Sequence, residues 1–119
     1  MNSNQVAALA RIVFALCMLV FAFFHLSNAS GMAGGVPSFM PGPGAMWIYI
    51  TGIGLALAGI AFLINQKVRL AGYLLGTMLL IFVLTIHLPH VMDGDQSAMG
   101  MLLKDTGLAA AAFFIGSKS

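Results

Sequence analysis

Glutamate is absent from this 119-residue sequence, and charged side chains make up only 7% of it. With 61% of its residues hydrophobic, such a chain cannot cover a water-soluble domain with solvated groups, so its solvent is lipid. Cysteine occurs once, which excludes an internal disulfide, and Cys17 in its apolar stretch is an inert thiol. The acids are Asp93, Asp95 and Asp105, so there is no run of intramembrane carboxylates of the kind ion-coupled transport uses. A phosphate-binding loop, a nucleophile elbow and metal-ligand spacing are missing too. The net charge of +2 is the balance of a membrane protein's loops and gives no reason to expect nucleic acid.

Four apolar stretches are present, at about residues 6–26, 46–64, 70–88 and 98–115. Each is close to the roughly 20 residues that cross a bilayer as a helix. Backbone groups in hydrocarbon must be satisfied within the segment, and a barrel would show shorter, alternating runs. The expected fold is therefore an all-α membrane protein, one domain forming a four-transmembrane-helix bundle. Gly52, Gly54, Gly59, Gly72, Gly76 and Gly107 fall inside these stretches, where small residues let helices approach. Ile12–Phe24 followed by Ser27, Asn28 and Ala29 has the form of a signal-peptide core, but no basic side chain precedes Arg11, so the first span is expected to be retained.

Arg11, Lys67, Arg69 and Lys118 fall on one face of a four-span chain, and Lys104 stands on the other with the three aspartates. The positive-inside rule then makes the first face cytoplasmic, with both termini inside. Between spans one and two runs the uncharged segment SNASGMAGGVPSFMPGPGA, in which Pro37, Pro41 and Pro43 forbid a continuous helix. Val36, Phe39, Met40 and Met46 suggest that it folds back on the bundle as a lid. Trp47 and Tyr49 open span two at headgroup depth, and Pro89–Ser97 reads as a solvated loop.

Ionisable groups in or beside a span are functional candidates because they cost several kcal/mol unless paired. Arg11 lies early in span one, where it can snorkel to the headgroups or find a partner in the bundle, although no acid is in reach. At the outer end, His25 closes span one, His87 closes span three, His90 follows Pro89, and Lys104 and Asp105 enter from span four. Three uses are open to this cluster beside a purely structural one. Imidazole and ammonium groups can hydrogen-bond a quinone or lipid-like ligand between apolar walls from Trp47 and Phe24, or relay protons. His25 and His87 can instead ligate haem or a metal ion, with outer methionines suiting copper. Asp105 would orient Lys104 or cap span four.

Arg11, Phe24-His25, Trp47-Ile48-Tyr49-Ile50-Thr51-Gly52, Gly59-Ile60-Ala61-Phe62, Arg69-Leu70-Ala71, His87-Leu88-Pro89 and Lys104-Asp105-Thr106-Gly107-Leu108-Ala109 form an ordered series over nearly the whole chain. The series resembles the DoxX family of small four-helix bacterial membrane proteins. That family often pairs its first-helix Arg with a Glu in the second, whereas Ile53-Gly54-Leu55-Ala56-Leu57-Ala58 carries no acid here. The resemblance implies residence in the bacterial inner membrane and partnership with a redox system, since one relative is the membrane subunit of a thiosulfate:quinone oxidoreductase. The expected function is a non-catalytic membrane subunit, working with a protein partner or as a homo-oligomer. Its outward pocket would bind quinone or lipid through His25, Trp47, His87, His90, Lys104 and Asp105. The competing classes are a structural or assembly subunit and a haem or metal protein.

Overall fold

Asn2 and Gln5 close the start of the first helix reciprocally. The Asn2 side chain accepts from the Gln5 backbone at 2.9 Å and the Gln5 side chain accepts from the Asn2 backbone at 2.9 Å, which satisfies two amide groups that a helix leaves unpaired. In this computed structural model, which describes residues 1–32, 34 and 41–119, helix α1 runs Ser3–Ser27, α2 Gly44–Ile64, α3 Val68–Met92 and α4 Gln96–Ser117. All four are long and apolar enough to cross a membrane, and the described residues form no strand. The long axis of 46 Å suits the roughly 40–45 Å of a bilayer with its headgroups.

The helices form two hairpins. α1 packs along α2 and α3 along α4, while α2 and α3 meet over a smaller area. The buried stripes are Ala15, Met18 and Ala22 on α1, Thr51, Leu55, Ala58 and Phe62 on α2, and Asp105, Ala109, Ala112 and Gly116 on α4. Their alternating three- and four-residue spacing is the seam of left-handed helix packing. Large apolar side chains such as Val13, Leu16, Val20, Leu57 and Leu74 point outward instead. Alanine and glycine recur in the stripes beside Met18, Leu55 and Phe62, while large apolar side chains cover the outside, as expected when lipid, not water, surrounds the helices.

Gly72 and Gly116 show how close the second hairpin is. A Cβ on Gly72 would stand 2.6 Å from the Ala112 carbonyl oxygen and 2.9 Å from the Gly116 Cα, both backbone atoms. Gly52, Gly59 and Gly76 likewise leave no room for a Cβ, and Gly54 faces Met78 at ordinary distance. Gly107 differs from expectation: it is exposed on α4 with open space around it and mediates no helix contact.

Two boundaries also differ. The third helix does not stop before Pro89 but continues to Met92, so the solvated connection shrinks to Asp93–Asp95. The fourth begins at Gln96, capped by Asp95, whose side chain accepts from the Ser97 backbone at 3.0 Å and the Ser97 hydroxyl at 2.7 Å. Asp105 therefore does not cap this helix, because it lies well inside it and its carboxylate is engaged elsewhere. Hydrogen bonding by Ser97 holds the exposed Asp95 carboxyl below its ordinary value of 3.8. A depressed carboxyl adds stability that is complete above its unfolded value and disappears as pH falls through the folded one. Thermal unfolding below about pH 4 should thus lose a small increment that Asp95→Asn, which keeps a capping oxygen, no longer loses.

Arg11 finds a partner that a search for acids overlooks. Its guanidinium donates to the carbonyl oxygen of Phe62 and, at 3.4 Å, to that of Leu63. These belong to the C-terminal turn of α2, where the Phe62 carbonyl also accepts from the Asn65 amide and the helix dipole favours a cation. Arg69 donates to the Ser119 carbonyl at 2.9 Å. These three bonds gather Arg11, the α2–α3 turn with Lys67, and the end of α4 at one end of the bundle.

Candidate functional site

Pro89 shapes the opposite end. It has no N–H to give to the carbonyl four residues back, and a regular helix there would clash. The chain answers with one wide turn, a π-helical segment at Val83–His87 in which the Leu88 amide donates to the Val83 carbonyl. Such a turn holds one extra residue and is often found at functional sites. The buried stripe of α3 passes through Val68, Gly72, Leu75, Gly76 and Leu79 and continues through the wide turn at Val83 and His87. The wide turn thus lies in the seam and carries an imidazole into it.

His87 and Asp105 meet in that seam. Nε2 of His87 lies 2.6 Å from Oδ2 of Asp105, and the two side chains are only 9% and 10% exposed. An ionised Asp105 can only accept, so the proton in this contact is carried by Nε2 and the imidazole donates. Nδ1 of His87 has no hydrogen-bond partner among the described residues. Lys104 stands 3.7 Å from the second carboxylate oxygen, but it is half-exposed and not hydrogen-bonded there. Its ammonium also lies 4.9 Å from the centre of the Phe21 ring, a cation–π contact that ties α4 to α1.

The other expected site residues are distributed differently. His25 is half-buried and its Nδ1 lies 2.7 Å from the Phe21 carbonyl, one turn back on its own helix. It makes no hydrogen bond to His87 or Asp105. His90 is exposed, with Nδ1 2.5 Å from the Ile86 carbonyl on its own helix. Trp47 donates from Nε1 to the Pro41 carbonyl at 2.7 Å, pinning the end of the long connection. Phe24 is exposed beside Phe23. Of the lid, Val36, Phe39 and Met40 lie outside the described residues, and a single helical turn at Ala29–Met32, with Ala29 buried, begins the segment. Among the described residues, no group of three or more His, Cys, Asp or Glu side chains is placed to hold a metal ion.

Sequence reasoning missed the His87–Asp105 bond itself, assigning Asp105 to Lys104. A signal was available: a His two residues before a Pro in a span, facing the only acid within another span. The arrangement can hold the ring in one orientation and leave Nδ1 to a hydrogen-bonding ligand.

No curated protein and no solved structure matches the chain. A family model described as a domain of unknown function, DUF8561, matches residues 14–115, a stretch that holds His25, Trp47, His87, His90, Lys104 and Asp105 but not Arg11. The chain belongs to the DUF8561 family.

Proposed function

We propose that this protein is a membrane subunit serving a quinone-linked redox system, with His87 as the group that meets a quinone or a lipid-like carbonyl ligand. One observation carries the reading: a buried Asp105 engages Nε2 of His87, and Nδ1 has no hydrogen-bond partner among the described residues. A ring oriented in this way is suited to a ligand carbonyl, and Lys104 adds a donor beside it. The resemblance to the DoxX family supports the redox partnership. Electrons would come from a partner protein, and the chain would bind and orient without catalysing alone. The basic end, with Arg11, Lys67, Arg69 and Lys118, supports placing both termini on the cytoplasmic side of a bacterial inner membrane and the histidine pair near the outer side.

A second reading has its own support. The cavities at the α2–α3 turn and along α2 and α3 are not lined by any of the expected site residues. The pair would then be a latch between α3 and α4 in a structural or assembly subunit. Organic extraction of the purified protein with mass spectrometry, and thermal unfolding with and without added ubiquinone, separate the two. The quinone reading predicts co-extracted quinone and a stabilisation of a few degrees that is lost in His87→Gln. No quinone and an unchanged midpoint would leave only the latch.

A further inference from the structure

Two cavities lie side by side at the basic end, away from the histidine pair. One, of about 370 Å³, is lined by Asn65, Lys67, Val68, Arg69 and Ser119. The other, of about 300 Å³, is an open groove between α2 and α3, lined by Gly54, Leu57, Ala61, Leu70, Leu74 and Met78 among others, and again by Lys67. The first mixes polar and apolar lining and carries two cations. The second is apolar and runs along the span towards the middle of the bundle.

The turn between the helices fixes this junction. Asn65 and Lys67 both adopt left-handed backbone conformations, with φ of 57° and 53°, so the chain reverses within three residues. Lys67 caps nothing and has no ion-pair partner among the described residues. Arg69 is already engaged by the Ser119 carbonyl. We infer that this composite site binds an anionic phospholipid, its phosphate on Lys67 in the first cavity and one acyl chain in the groove between α2 and α3. Charge complementarity selects the headgroup, because the lining holds Lys67 and Arg69 and no Asp or Glu side chain. The groove opens on the lipid-facing side of helices whose neighbouring side chains are exposed and apolar, which suits an acyl chain.

Native mass spectrometry of the full chain, released from micelles supplied with dioleoylphosphatidylglycerol or dioleoylphosphatidylcholine, tests the site. One free cation near a headgroup corresponds to about fivefold preference for the anionic lipid. Lys67→Gln should reduce that ratio to near one, and Lys67→Arg should keep it. Gly54→Leu should lower retention of both lipids at an unchanged ratio, because a side chain there enters the groove while its Cβ meets only Met78 at 3.5 Å. Excess inorganic phosphate, against chloride at matched ionic strength, should not displace the lipid. A wild-type ratio near one, a ratio that survives Lys67→Gln, or displacement by phosphate alone would overturn the inference. The histidine pair takes no part in any of these outcomes.

Discussion

His87→Leu is expected to destabilise the bundle by about 2–3 kcal/mol, more than Asp105→Leu at about 1 kcal/mol, when unfolding is followed in detergent. The two changes remove the same hydrogen bond, but they leave different orphans. Without His87, a buried carboxylate keeps only Lys104, which stands 3.7 Å away and is half-exposed. Without Asp105, the orphan is an imidazole that can remain neutral. Lys104→Gln should fall within about 0.5 kcal/mol of wild type, since an exposed ion pair contributes little. Equal losses for His87→Leu and Asp105→Leu would contradict the assignment of the charge to Asp105.

Gly72→Leu should cost as much or more, at least about 3 kcal/mol, because the new side chain meets backbone that cannot rotate away. The Ala112 carbonyl and Gly116 Cα are both in its path. α3 and α4 must separate, and the separation should also weaken the bond between His87 and Asp105 on the same pair of helices. Gly107→Ala is the control: with open space around it, replacing a helical glycine should be neutral or slightly stabilising. Thermal unfolding of the two variants beside wild type reads both effects. If Gly72→Leu unfolds like wild type, the close approach of α3 and α4 is wrong.

The four spans were legible because length and hydropathy alone decide whether a segment can cross a bilayer. Which face of each helix turns inward was much less so. In water, polarity contrast marks the buried stripe, but here Leu16 on the outside is as apolar as Met18 on the inside. The usable signal was side-chain size, and it identified Gly52, Gly59, Gly72 and Gly76 while also admitting Gly107. Pro89 misled in a different way. It was read as a stop, whereas in α3 a single wide turn absorbs the missing amide and the helix runs on to Met92. The His87–Asp105 contact sits at that turn, where a polar pair faces inward among apolar residues. Arg11 was hard to place for another reason: its partners are backbone carbonyls, which no side-chain pattern records.

The account rests on a buried bond between His87 and Asp105 that joins the third and fourth helices. A double-mutant cycle of His87→Leu and Asp105→Leu, read by unfolding free energy in one detergent, measures it directly. The expected coupling is at least about 1 kcal/mol, with the double variant more stable than the sum of the single losses. Strict additivity would mean that the two side chains do not meet in the folded protein.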